Sequence, residues 1–268
     1  MKKLYFDYHM QIKYEEPVGT CHFTIKCIPT DTNMQHVEKS DIVLEPENNY
    51  SIGRDSFGNN MIYGTVSAPH DYFSYHITGE INVGLMQGEK SSNESMLGMY
   101  KYPYGKTVAG NELLKYYDVL KQDVEELKDT SDCSDYDKSI ALMHRIYQDF
   151  EYKKNVTGIH TTAEEAWKLR QGVCQDYAHI MITLARLMNI PARYVTGMMI
   201  GEGFSHAWVE ILDGESWYPL DPTNNVIISD TYIKLGVGRD ASDCAINRGV
   251  LKGGGNQTQM INVIVKEI

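Results

Sequence analysis

No apolar stretch in the chain approaches the roughly 18 residues that a membrane-crossing helix needs, so no membrane partner is expected. Cations are scarce and scattered: 25 Lys and Arg stand against 36 Asp and Glu, a formal net charge of -11, with no basic cluster. A nucleic-acid phosphate backbone would be repelled, and nucleic-acid partners are not expected either. Cysteine is sparse too. Cys21, Cys27, Cys133, Cys174 and Cys244 are odd in number and form no C-x-x-C pair, which argues against a disulfide framework or a zinc knuckle. Cys21 and Cys27 sit in an alternating segment and would share one strand face about 20 Å apart, too far to bond; both read as core residues. The run Asp129, Asp132, Asp135 and Asp137 lacks the mid-loop Gly and closing Glu of an EF-hand and reads as a helix N-capping segment. No metal and no cofactor are expected. Met1-Lys2-Lys3 could open a signal peptide, but Asp7 interrupts the apolar segment at once. The expectation is a cytoplasmic protein, or one whose leader has been removed.

What is present is ordinary globular material. Hydrophobic residues make up 42% and charged residues 23% of 268 residues, enough for one large domain or two modest ones. Residues 1–88 read as β structure, with strands at Tyr5–Tyr14, Thr20–Ile28, Met61–Val66 and Tyr72–Val83 and no useful helix-period segment. A β-sandwich-like module is expected there. Residues 89–128 read as a linker, an aromatic loop at Tyr100–Tyr104 and a connecting helix from Leu113 to Leu127. The second domain spans 129–268. Its first helix carries Ile140, Met143, Tyr147 and Phe150 on one face, with His144 at the surface or in packing. Thr162 and Glu165 form a capping box. Gly172 ends that short helix, and another starts at or near Cys174, with Tyr177, Ala178, Met181, Leu184, Ala185 and Met188 in helical period. Asn189 suits a left-handed cap, and Pro191 stops the helix.

Cys174 therefore lies at a helix N-terminus, among free backbone N–H groups and at the positive end of the macrodipole, which favours a thiolate nucleophile and can face an oxyanion. Alone the signal is weak, because buried cysteines are common. The hairpin is stronger. Ser205–Ile211 alternates like a strand, Asp213-Gly214 is a turn dipeptide, and Ser216–Asp221 returns. A turn centred on Asp213-Gly214 opposes His206 directly to Asp221, so the carboxylate can orient the imidazole. Trp208 and Pro219 fall on the same face. A His–Asp pair can also merely stabilise a hairpin; with Cys174 present the catalytic reading is favoured. A metal site from Cys174, His179 and His206 is disfavoured, because His179 lies five residues after Cys174, off the one-turn spacing.

These segments resemble a known family. Arg170-Gln171-Gly172-Val173-Cys174-Gln175-Asp176-Tyr177-Ala178, Asn189-Ile190-Pro191-Ala192-Arg193-Tyr194-Val195-Thr196-Gly197, Ser205-His206-Ala207-Trp208-Val209-Glu210 and Trp217-Tyr218-Pro219-Leu220-Asp221-Pro222-Thr223 look like the core of the bacterial transglutaminase-like superfamily. The likeness extends to Gly238-Arg239-Asp240 and Gly253–Gln257. Tyr14–Val18, Asp55–Asn59 and Pro69-His70 resemble its β-rich N-terminal module. The resemblance implies an α+β fold: a papain-like core whose Cys-bearing helix packs on an antiparallel sheet, behind the N-terminal β module. It implies acyl transfer from a protein or peptide amide through a thioester, with Cys174, His206 and Asp221 as catalytic triad. Hydrolysis is the first expectation, since bacterial members are commonly regarded as cysteine proteases. Transfer to an amine is second, and a non-catalytic binding module third. The calcium dependence of animal transglutaminases is not carried over.

Overall fold

A computed structural model describes residues 1–84, 88–90, 94–126 and 133–268. Its organising element is β1 (Lys2–Ile25), a single strand where two were expected. Leu4, Phe6, Tyr8, Met10, Ile12 and Tyr14 point inward on even positions, whereas Cys21, Phe23 and Ile25 do so on odd ones. A one-residue phase change requires an irregularity, and the pairing register shifts between Val18 and Thr20. The strand thus serves two sets of neighbours. Its first half pairs with β5 (His70–Val83), and its second half with β4 (Asn60–Val66). On the far edges, β2 (Gln35–Glu45) pairs with β5 and β3 (Tyr50–Arg54) with β4.

The helices lie beyond this β-rich region. α1 (Asn111–Glu126) and α2 (Asp135–Asp149) are followed by α3 (Ala163–Leu169) and α4 (Cys174–Leu187). Ser134 caps α2 through a capping box with Asp137; Asp129 and Asp132 of the acidic run lie outside the described residues. The inward stripe of α2 is Leu142, Met143 and Ile146, and Tyr147 is left exposed rather than buried. Thr162 and Glu165 cap α3 reciprocally, as their spacing predicts. Asn189 has the left-handed φ of 61° expected of it just beyond α4.

A second, six-stranded antiparallel sheet holds β6 (Glu89–Lys90), β9 (Ala192–Met199), β11 (His206–Asp213), β12 (Ser216–Asp221), β13 (Val226–Ile227) and β14 (Tyr232–Gly238). Its main order is β13-β12-β11-β9-β14, with β6 on β12. The remaining short pair, β7 (Glu151–Tyr152) and β8 (Gln171–Gly172), is parallel and fixes the approach to α4. One face of the second sheet is covered by α4, where Ala178, Met181 and Ala185 share a core with Tyr194, Ala207, Val209 and Ile211. The alternate residues Val195, Trp208, Ile233 and Leu235 point the other way and share a core with Phe6, Tyr8, Tyr75 and Ile77 of the first sheet. The period-two alternation of β9 and β11 therefore puts sheet, sheet and helix in three layers.

The last strands do not extend the second sheet. β15 (Asn247–Gly253) pairs with the C-terminal half of β1, and β16 (Gln257–Glu267) runs antiparallel to it from Leu4↔Glu267 to Tyr14↔Gln257. β10 (Gly201–Gly203) joins the outer edge of β16. The sheet of the N-terminal region is thus completed by the C-terminus of the chain. Among the described residues no helix is long and apolar enough to cross a membrane.

Candidate active site

Cys174 is the first residue of α4, half-buried, with Val173 in extended conformation before it. The turn is closed by Asp176, whose Oδ2 accepts the Val173 N–H at 2.8 Å and the Thr157 hydroxyl at 2.6 Å. Asp176 is buried, and burial pushes its carboxyl upward despite those two donors. Gly172 is dictated by this closure: a Cβ there would meet the Asp176 carboxylate at 2.5 Å. Cys174 itself sits in the first helical turn, whose N–H groups have no intrahelical acceptor.

His206 opens β11 and Asp221 ends β12. The hairpin register differs from expectation by two residues. Asp213 pairs with Ser216 and Val209 with Leu220, so the loop is Gly214-Glu215 and not Asp213-Gly214. The first loop position needs positive φ; Gly214 takes it at 59°, a placement that spares Asp213 the strain. A two-residue slip leaves every side chain on its original face. Trp208 now stands in line with Asp221, and His206 is the diagonal neighbour, still within reach. The imidazole Nε2 donates to Asp221 Oδ2 at 2.7 Å.

Asp221 is fully buried and saturated. Its Oδ1 accepts the N–H of Thr223 at 2.9 Å and of Asn224 at 3.2 Å. Its Oδ2 also accepts the Asn224 amide at 2.7 Å and the Tyr232 hydroxyl at 2.9 Å. Burial acts to raise this carboxyl, but the His206 and other donors outweigh it and hold it below the usual range. His206 shows the converse. Burial opposes its charge, yet the hydrogen bond to the Asp221 carboxylate and the neighbouring Cys174 sulfur push it up to about 10. Because Nε2 is committed to Asp221, the nitrogen left for Cys174 is Nδ1. The structure thus brings together all three residues singled out from sequence.

Asn224 and Tyr232 were not singled out. Asn224 had a local signal, since Asp followed by Pro-Thr-Asn reads as a turn in which the carboxylate takes backbone N–H groups. Tyr232 had none; it arrives from β14, and its ring stands edge-on to Trp208 at 5.5 Å. Trp208 in turn lies nearly parallel to His206, with ring centroids 6.4 Å apart. Farther along the same face of β11, buried Glu210 accepts from Arg193 at 2.6 Å and Lys234 at 2.9 Å, and Lys234 also pairs with Glu89. This network ties β11, the His206 strand, to β9 and β14.

His179 is not part of the relay. It is wholly buried, its Nε2 accepts the Ala241 N–H at 3.1 Å, and burial lowers it to about 3. Among the described residues no group of His, Cys, Asp and Glu is arranged to hold a metal ion.

Two clefts flank His206. One, of about 570 Å³, is lined by Tyr147, Phe150, Tyr152, Tyr177, Met199 and Asn224. The other, of about 530 Å³, contains both Cys174 and His206, with Tyr8 and Tyr75 from the first sheet and Gln259 and Ile261 from the last strand in its wall. The aromatic segment from Tyr100 to Tyr104 lines neither cleft: buried Tyr100 packs edge-on to Trp217 at the turn end of the β11–β12 hairpin, and Arg186 of α4 donates to the Tyr100 carbonyl at 2.9 Å.

Residues 123–222 match the model of the transglutaminase-like superfamily, and residues 6–82 match the bacterial transglutaminase-like N-terminal region. The chain belongs to the transglutaminase-like superfamily. A solved candidate cysteine protease from Cytophaga hutchinsonii superposes with a TM-score of 0.80 at 21% identity, covering 100% of this chain and 91% of that one. This transglutaminase-like chain therefore shares that protein's mixed α/β fold of curled antiparallel sheets with few helices. Among curated proteins it is 41% identical over 115 residues to an uncharacterised Mycobacterium leprae protein, a match covering 39% of this chain and 41% of that protein. An uncharacterised Mycobacterium bovis protein is 36% identical over 126 residues, covering 41% and 40%. The chain spans about two fifths of the length of these curated relatives.

Proposed function

We propose that this transglutaminase-like chain cleaves an amide or peptide bond through a thioester, with Cys174, His206 and Asp221 as its catalytic residues. The observation that carries the reading is the His206 Nε2 bond to the buried Asp221 carboxylate, with His206 and Cys174 together on the wall of one cleft. With the proton already held on His206 Nδ1, Cys174 attacks as the thiolate and Sγ bonds to the carbonyl carbon. The first-turn N–H groups of α4 face the resulting oxyanion. The C–N bond then breaks, and His206 gives its proton to the departing amine. Water attacks the thioester, its proton goes to His206, and the C–S bond breaks to return the Cys174 thiolate beside protonated His206. Asp221 stays ionised throughout and holds the imidazole with Nε2–H toward itself. The cleft of Tyr147, Phe150 and Tyr152 reaches His206 but not Cys174, which suits the side of the departing or incoming nucleophile.

That aromatic wall also favours a second reading, transfer of the acyl group to an amine, since aromatic faces attract an ammonium head as it approaches. Peptide hydrolysis and labelled-amine incorporation, run side by side on the intact chain and on Cys174→Ala, separate the two. Turnover surviving in Cys174→Ala removes the thiol mechanism altogether.

A further inference from the structure

The chain is strongly acidic, with 36 carboxylates against 25 cationic side chains. Yet none of the residues lining the cleft that holds Cys174 is Asp or Glu, while Lys106 and Arg248 both line it. Arg248 is exposed and Lys106 half-buried, and both stand on hydrogen-bonded backbone. Lys106 lies in the 3-10 turn Gly105–Thr107, which Arg186 of α4 clamps through a 2.6 Å bond to the Thr107 hydroxyl. Arg248 lies on β15 opposite Thr24 of β1, and its guanidinium donates to the Ser242 carbonyl, itself on the cleft wall. Among the described residues neither side chain forms an ion pair within 4 Å. Asp240 feels the Lys106 charge, but it is buried and taken up by the backbone N–H groups of Lys106 at 2.9 Å and Ser242 at 2.8 Å. A cleft walled by low-dielectric rings and edged by charge of one sign concentrates ligands of the other. Unpaired cations on braced backbone are also pre-organised for a carboxylate.

Resting on the thiol mechanism above, we propose that the acyl donor is an acidic peptide, whose carboxylate is held by Lys106 and Arg248 while its carbonyl lies at Cys174. Lys106 comes from the segment before α1 and Arg248 from a strand completing the first sheet, so selectivity is assembled from both ends of the chain.

The test begins with the charge of the reagent. Cys174 of the full chain is alkylated with iodoacetate and with iodoacetamide, and the ratio of the two rates is followed by mass spectrometry. The ratio should fall on the order of threefold in Lys106→Met and again in Arg248→Met, as for single exposed charge contacts, and raised salt should lower it in the unmodified chain. Peptide protection gives the second arm. Peptides with an internal Glu and an amidated end, and peptides with Gln and a free C-terminal carboxylate, should slow iodoacetamide labelling where neutral Gln-amide twins do not; which acidic set protects identifies the carboxylate. A ratio unmoved by both substitutions and by salt, or equal protection by the neutral twins, overturns the proposal while leaving the thiol mechanism standing. A Cys174 that neither reagent modifies overturns the mechanism and the proposal with it.

Discussion

Asp221→Asn tests the orienting role assigned to this carboxylate. In the native chain its two oxygens accept five hydrogen bonds, from Thr223, Asn224 twice, Tyr232 and His206. Asparagine keeps the shape but exchanges one oxygen for NH₂. Turned toward the Oδ1 position, that NH₂ meets the N–H groups of Thr223 and Asn224. Turned toward the Oδ2 position, it meets the Asn224 amide and the His206 N–H. Either rotamer sets donor against donor in a buried site, a conflict costing about 1–3 kcal/mol, so Tm should fall by roughly 2–12 °C and the fold should survive. The chemistry loses more. With the anion gone, burial acts on His206 unopposed by its strongest partner, and its titration should drop from about 10 toward or below the ordinary value. The sign follows from linkage. A histidine raised in the folded state stabilises fully below its unfolded value of about 6.5, and this contribution disappears as pH rises toward 10. The variant should lose that slope between those two values. The matching exchange in serine proteases lowers kcat about 10⁴-fold, and a loss of about 10²-fold or more is expected here. Peptide turnover, thermal melts from pH 6 to 10.5 and the His206 titration by NMR form the assay. Near-full turnover together with an unchanged stability slope would refute the reasoning.

Brief iodoacetamide treatment near neutral pH should modify Cys174 well ahead of Cys21, Cys27 and Cys244, which are buried and whose thiols burial pushes up; equal labelling of Cys133 or Cys244 in a mass-spectrometric time course counts against the assignment. Gly172→Ala forces a methyl against the Asp176 carboxylate and the capped turn that presents Cys174. It should cost about 1–3 kcal/mol and slow alkylation of Cys174, and a melt and labelling rate matching the native chain would show that the turn does not need its glycine. Cutting the chain so that only residues from 129 onward remain should leave an inactive and poorly folded product, because β15 and β16 take their partners from β1 and Tyr8 and Tyr75 wall the Cys174 cleft. Limited proteolysis yielding a fully active fragment of that length is the contrary result.

The sequence by itself determined those parts of the site that are local. A capping segment, a glycine and a helical stripe place Cys174 at the start of α4 because helix initiation depends on residues within one turn. Alternation around a turn dipeptide brings His206 near Asp221 because the face of a strand is set by parity alone. That parity is why a register wrong by two residues still predicted the pair, and the slip itself was decided by which residue could take positive φ. The enclosure of Asp221 by Tyr232, the bracing of β11 by Glu210, Arg193 and Lys234, and the return of β15 and β16 to β1 are pairings across tens to hundreds of residues. No local periodicity encodes which strand will be the neighbour, since any alternating strand offers the same row of N–H and C=O groups. Only the packed chain, burying the inner faces of both sheets at once, selected β1 for the last strands and so put Tyr8, Lys106, Cys174 and Arg248 around one cleft.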